Sequence, residues 1–277
     1  MAALAHQGRC LPFLAAAYQI KNILRSQNQA EHSFFLLLSL LKRANQQLTC
    51  IKDRGFARIG LLRKMDELKL HFITGVCHNT YFASDHYQGI LRDLPVRAGQ
   101  VLDLGWGLLG KDKKNQVRVR LIAYLGRGHK APWLIATDRS DLTASQVVSL
   151  YAKRMGIEAG FRDSKGLRYG WGVKQIRLQS DGQLTLLWAA AMVAYGLQMA
   201  AGASLLKQDD QAQFNWTKKG PRRSLLAVGR NVISSGMMKG EQIVRQLPKL
   251  ALRLSELKMV VIESQSDSRA MAASGKS

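Results

Sequence analysis

Apolar positions recur along the chain at two periods, and the change of period marks where its character changes. The first twenty residues hold CLPFLAAAYQI, an apolar run with a proline near its start, which reads as a strand. Ser26 to Leu41 is polar and then strongly apolar, as a helix with a buried side would be. QLTCIKD, residues 47–53, is a short β-prone run that ends on an acid, and Arg54-Gly55-Phe56 turns the chain after it. Ile59, Leu61, Leu62, Met65 and Leu68 then mark the apolar side of a helix that carries Arg58, Arg63 and Lys64 outside. HFITGVC, residues 71–77, predicts the next strand. From 78 to 140 the period falls to two. QVRVRLIAYLG sets Val117, Val119 and Leu121 to one face and Arg118 and Arg120 to the other, between the turn-like GKDKKN and the strand-like APWLIATD. Charged residues alternating in this way suit a half-exposed edge strand.

At 143 the helical period returns. Thr143 with Gln146 forms a capping box, and Gly166 offers a stop, so one long helix is expected between them. Within it Tyr151, Arg154, Glu158, Phe161 and Lys165 recur at steps of three and four. At about 100° per residue they fall within roughly a quarter-turn of surface. Val148, Leu150, Met155 and Ile157 flank them. The turn GLRYGWG follows, and then Leu184 to Leu206, apolar on every side and read as a helix buried in a large core. Its length would also span a bilayer, but its Ala and Gly content and Gln198 favour the soluble reading. Beyond Lys207 the chain is polar, with a basic turn KKGPRRS and a Ser/Ala-rich tail expected to lack order. There is no internal repeat.

Charge narrows the partners. The 277 residues carry 41 Lys and Arg against 19 Asp and Glu, a net charge of +22. Such an excess makes nucleic acid the first partner to consider and an anionic membrane the second. Arg118 and Arg120 then have a second reading, as contacts to a DNA backbone. Three cysteines without a CxxC pair suit a reducing compartment. Cys77, His78 and His86 lack the spacing of a zinc site. No charged segment followed by a clean apolar core marks a leader.

Two segments carry a more specific signal. Tyr151-x2-Arg154-x3-Glu158-x6-Lys165, within YAKRMGIEAGFRDSKGLRYGWG, resembles the signature of insertion-sequence transposases of the DDE type, in the insertion-sequence-4-like group. Asp53 in DRGF, before a helix and an aromatic strand, is similar to the segment around that family's second acid. The resemblance runs from about residue 8 to about residue 235. It implies an α/β, RNase H-like core in residues 1–77 and 141–235, a β-rich insertion at 78–140 before the helix with the third acid, and a basic C-terminal segment with its tail at 236–277.

The resemblance also implies a chemistry. Asp53 and Glu158 would be catalytic carboxylates holding Mg²⁺, with Mn²⁺ as the alternative ion. Tyr151, Arg154 and Lys165 would hold DNA phosphates, with Arg162 as a further DNA contact. Arg168 has two readings, a DNA contact or a cap on the core, and Arg154 is also spaced to pair with Glu158. The partners implied are transposon ends, target DNA and a second copy in a synaptic complex; the setting is a cytoplasmic, nucleoid-associated protein with no membrane partner. One feature departs from the family. No Asp precedes Asp53, and Glu31, the one earlier acid, lies in a helical pattern. The first strand with its Asp, and any N-terminal DNA-binding domain, are therefore expected to be missing, which would impair cleavage. The alternative is a non-catalytic DNA-binding remnant that interferes with the full-length enzyme.

Overall fold

In the computed structural model, the described residues are 2–6, 9–14, 26–43, 45–159, 180–206, 216–217, 220–221, 225–236, 239–245, 248 and 259–262. The chain forms two compact units. One comprises Met1–Ala17 with Met155–Leu257, and the other Tyr18–Arg154 with Lys258–Ser277. The divisions at 154 and 257 differ from the sequence breaks at 77, 140 and 235.

In the Tyr18–Arg154 unit a mixed α/β arrangement surrounds one sheet. Its strands are β3 (Thr49–Lys52), β4 (His71–Gly75), β5 (Tyr81–Ser84), β6 (Gln88–Ile90), β7 (Val101–Leu109), β8 (Val117–Tyr124), β9 (Trp133–Thr137) and β12 (Met259–Ile262). They lie in the order β12-β3-β4-β9-β8-β7-β5-β6. β3 runs parallel to both its neighbours, Ile51 beside Ile73 and Val261, and the remaining pairs are antiparallel. The strands of residues 78–140 thus continue the sheet that carries Asp53. β12 was not expected. Three of its four residues, Val260, Val261 and Ile262, are β-branched, but they are too few to show a period against the polar segment around them.

The edge-strand reading of residues 117–124 is overturned, because β8 lies between β7 and β9. Arg120 is paired where a free charge was expected. Its side chain is 13% exposed and forms an ion pair with Asp103. Burial would raise the Asp103 carboxyl, but the Arg120 hydrogen bonds, the Gly105 amide and the charges of Arg120 and His86 together outweigh it and hold the carboxyl below its usual range. Arg118 stays exposed and lies over the Trp106 ring at 5.4 Å.

The helices form largely where capping and period predict. α1 (Gln27–Leu40) starts at Ser26, which forms a capping box with Gln29. It buries Glu31, Phe35 and Leu38, and Leu36, Leu37 and Leu40 remain exposed. α2 (Ile59–Glu67) buries Leu61, Leu62 and Met65. Glu31 pairs with Arg58 at the start of α2 and accepts from Gln27, so its carboxylate is committed to joining the two helices. α3 (Ala144–Ala152) has the expected Thr143–Gln146 capping box. The long helix expected from 143 to 166 is interrupted, however. At 153–154 the amides of Lys153 and Arg154 bond to Leu150 and Tyr151, three residues back, which tightens the last turn. A helical turn resumes at 155–159, with Gly156, a poor helix former, just past the break. Residues 160–166 lie outside the described residues.

In the other unit β1 (Ala2–His6) and β2 (Arg9–Leu14) pair as an antiparallel hairpin, where one strand was expected. β10 (Trp216–Thr217) and β11 (Gly220–Pro221) form a second hairpin at the expected basic turn. α4 (Asp181–Leu206) packs against β2 and α5 (Leu225–Ser234) through Leu11, Tyr195, Met199 and Leu226, and through Ala201, Val228 and Val232. A Cβ on Gly229 would overlap the Gln198 carbonyl, so the α4 and α5 backbones touch there. α6 (Gly240–Val244) follows. The expectation that α4 is buried on every side fails, since Leu186 and Val193 are well exposed. Its span Thr185–Ala203 is long and apolar enough to cross a membrane, a test that core helices of soluble proteins also pass. The Ser/Ala-rich tail lies outside the described residues.

The core beneath β3 contains a lysine. Lys52 is fully buried, with Nζ donating to Met65 Sδ at 2.8 Å, near the Phe56 carbonyl at 3.5 Å, and within 5.5 Å of the Phe35 and Phe72 ring centres. Burial lowers its pKa to about 7, and raises that of the neighbouring Cys50 thiol to about 12. Because the unfolded chain keeps the Lys52 proton to higher pH than the folded one, stability should rise between about pH 7 and the ordinary lysine value near 10.5. The limiting slope is about 1.4 kcal/mol per pH unit. Lys52→Met should be more stable than the wild type at pH 7, with the difference shrinking towards pH 10 in urea titrations; a difference independent of pH would refute the assignment.

Candidate functional site

Asp53 stands directly after β3, at the carboxyl end of a strand whose two neighbours run parallel to it. In parallel sheets this end is where functional groups collect, because the chain leaves the strands there into loops. The Asp53 side chain caps a single 3₁₀ turn, Arg54–Phe56, accepting from the Arg54 amide at 2.5 Å, and the Thr74 hydroxyl donates to the Asp53 carbonyl at 3.2 Å. The turn is anchored by Phe56, whose ring meets Phe35 edge-on at 6.1 Å. The carboxylate is therefore fixed from behind while its side chain remains 35% exposed.

The signature residues reach Asp53 from the opposite face of the sheet. Lys52 points to the α2 face, where it meets Met65; Thr74 pairs beside it in register, so Gly75 faces the other way. On that other face lies Tyr151, the last buried residue of α3. A Cβ on Gly75 would overlap the Tyr151 hydroxyl and come within 3.3 Å of the Arg54 amide. Only 6% of Tyr151 is exposed, and its ring packs edge-on against Trp133 of β9 at 5.2 Å. Three residues on, Arg154 lies over the Tyr151 ring at 5.6 Å and brings Nη1 to 3.9 Å from Asp53 Oδ1. Its side chain is 15% exposed. Asp53, Tyr151 and Arg154, expected from two separate segments, thus meet within one unit.

The sequence paired Arg154 with Glu158 by helical spacing and did not foresee Asp53 as its partner. It also missed Gly75 and Trp133, which fix Tyr151. The signal for Gly75 was a glycine inside an otherwise β-branched and aromatic strand, the mark of a close approach. Glu158 belongs to the other unit, half-buried on the turn at 155–159. Arg162, Lys165 and Arg168 lie outside the described residues.

As a metal ligand Asp53 is suitable in kind: it is a hard oxygen donor on the open end of a strand, and Mg²⁺ is held by one or two carboxylates completed by waters and phosphate oxygens. Among the described residues no three His, Cys, Asp or Glu side chains gather, Cys77, His78 and His86 included.

Residues 17–197 match the transposase DDE domain, about two thirds of the chain, and the match spans Asp53 and the signature helix. The chain belongs to the transposase DDE domain family. No curated protein matches it. Membership in this family carries a transposase-type function, a polynucleotidyl transferase chemistry and DNA as the partner. Asp53 and Arg154, both expected from the resemblance, come together in the Tyr18–Arg154 unit.

The fit between Gly75 and Tyr151 makes a direct test. Gly75→Ala should destabilise the protein by about 1–3 kcal/mol through overpacking. Adding Tyr151→Phe, which removes the hydroxyl, should restore part of the loss, so the pair should be non-additive in a denaturation cycle. Strict additivity would mean that the two do not touch.

Proposed function

We propose that the chain is a DDE transposase of the insertion-sequence-4-like group, with an RNase H-like core, that nicks and joins DNA at transposon ends with Mg²⁺. Asp53 and Glu158 are its metal-holding carboxylates; the role of Glu158 rests on the signature spacing. Arg154, Arg162, Lys165 and Arg168 face DNA, Arg154 through the planar fork that suits phosphate oxygens. Tyr151 belongs to the same set and, being buried, serves it by carrying Arg154. Divalent cations at such a site supply charge for the attacking and leaving oxygens of an in-line displacement. The chain's own residues bind and orient the phosphate beside Asp53. The protein works in the cytoplasm at the nucleoid, as a homodimer on paired ends. The observation that carries this reading is the meeting of Asp53 with Arg154 at the carboxyl end of β3.

A second reading, the non-catalytic DNA-binding remnant, is favoured by one observation. The acid preceding Asp53 in this sequence is Glu31, and its carboxylate is taken by Arg58 and Gln27. With Glu31 so engaged and Asp53 and Glu158 as the only acids of the set, cleavage would be lower by orders of magnitude, since cooperating groups are not additive, while the charge of +22 would keep DNA binding intact.

Both readings are tested on a labelled duplex carrying a transposon end, with Mg²⁺ or Mn²⁺ and a Glu158→Ala control. The expected result is DNA binding that weakens steeply and log-linearly with salt, with nicking faint and absent from the control. Efficient metal-dependent nicking would overturn the impairment, and a flat salt response would overturn the DNA role.

A further inference from the structure

We propose that the β6–β7 loop and the β8–β9 turn together form a phosphate-binding surface, in which Arg97, Arg127 and Lys130 hold the backbone of duplex DNA. The inference rests on the DNA role proposed above, and it adds contacts outside the signature helix, at the same end of the sheet as Asp53.

Strand direction puts both loops there. Lys52 pairs with Thr74, so Asp53 leaves the sheet level with Gly75. Gly75 pairs with Ile135; two residues before it Trp133 pairs with Tyr124, and Tyr124 with Val101. The turn from β8 to β9 and the loop entering β7 therefore project beyond the Asp53 end. They are joined to each other, the Gly99 amide donating to the Leu125 carbonyl at 2.6 Å and the Leu125 amide to the Gln100 carbonyl at 3.3 Å. Each is also held in shape. The Arg97 amide donates to the Gln100 side chain at 3.0 Å, and the His129 amide to the Gly126 carbonyl at 3.0 Å. Gly99 and Gly128 take left-handed backbone, at φ 82° and 83°, which lets both loops turn sharply. The His129 ring lies 5.0 Å from that of Trp133, the residue that seats Tyr151.

The charges of these loops are nearly all of one sign. Arg97, Arg127 and Lys130 are exposed, and no carboxylate among the described residues pairs with them. A Cβ on Gly99 would stand 4.0 Å from Arg127 Nε, so Arg127 reaches across to the loop that bears Arg97. Residues 92–100 and 125–132 contain one acid, Asp93, and Arg92 takes it at 3.5 Å. The opposite end of the sheet mixes its signs. Lys111, Lys113 and Lys114 surround Asp112 on the β7–β8 turn, and Asp138, Arg139 and Asp141 follow β9. A polyanion would meet repulsion there and little here. Loops already fixed lose little freedom when they take up a phosphate. The β8–β9 turn lies two to three strand spacings from β3, roughly 10–14 Å. That matches the width of the major groove, about 12 Å. A duplex with one backbone at Asp53 thus lays its other backbone on the two loops.

The test is the salt dependence of binding of the full chain to a fluorescein-labelled blunt duplex, read by anisotropy. Arg97→Gln, Arg127→Gln and Lys130→Gln combined should lower the slope of log affinity against log salt by about 2–3, since each phosphate contact contributes about 0.9. Lys111→Gln, Lys113→Gln and Lys114→Gln at the opposite turn remove the same charge and should leave the slope unchanged. Phosphate contacts carry no sequence information, so the loss should be the same on duplexes of unrelated sequence. In the wild type, the duplex should slow acetylation of Lys130, followed by mass spectrometry, and leave that of Lys113 unchanged. An unchanged slope in the first variant, or an equal fall in both, would overturn the surface, as would Lys130 acetylation indifferent to DNA. A wild type whose affinity ignores salt would overturn the DNA role itself.

Discussion

A missing side chain at Gly75 is what the site geometry depends on. β4 ends there against the Tyr151 phenol, at a separation no β-carbon would permit. Trp133 closes the ring from the β9 side. With the ring so held, the last turn of α3 has one height and one rotation relative to the sheet, and Arg154, a residue past that helix, has only a short chain between it and Asp53. An acid at the end of a strand is common and by itself says little. An arginine delivered to it by a helix seated in this way requires the fit of a glycine, a tyrosine and a tryptophan from three different elements.

The electrostatics around β3 are distributed unequally between its two faces. Beneath the sheet Lys52 lies among Phe35, Phe72 and Met65, where burial disfavours its charge, and the neighbouring Cys50 is held as a thiol. At the end of the same strand Asp53 meets solvent and a guanidinium. Neighbouring residues are thus a lysine whose charge burial disfavours and a carboxylate that stands beside a guanidinium. Of the other charge pairs, Arg120 with Asp103 ties two strands and Arg58 with Glu31 two helices. These pairs use few of the cations in a chain of net charge +22.

Much of this was legible in the residues. The strand ending on Asp53, the amphipathic helix after it, and the capping box at Thr143 follow from local patterns, and the structure has them at the expected places. What stayed hidden depends on contacts between distant segments. Arg118 and Arg120 alternate with valines as on an edge strand, yet the pairing with β7 and β9 makes β8 an interior strand and turns Arg120 into the partner of Asp103. The spacing of Arg154 and Glu158 suggested a pair along one helix, and gave no sign that the fold would also bring Arg154 to 3.9 Å from Asp53. The apolar composition of Leu184 to Leu206 suggested burial all round, and composition cannot tell a buried face from an exposed one when every face is apolar.

The parallel pairing of β12 with β3 bears on how the chain is made as well as how it is held. Thr49 lies early in the sequence and its partner Met259 near the end. On a ribosome β3 is synthesised long before that partner emerges, and loop closure over so long a segment is slow. During that interval one side of the strand bearing Asp53 has its amides and carbonyls open to any passing strand. Nascent chains of this protein should therefore depend on chaperones, or on nucleic acid already bound to their basic surface, to reach the folded state before they find one another.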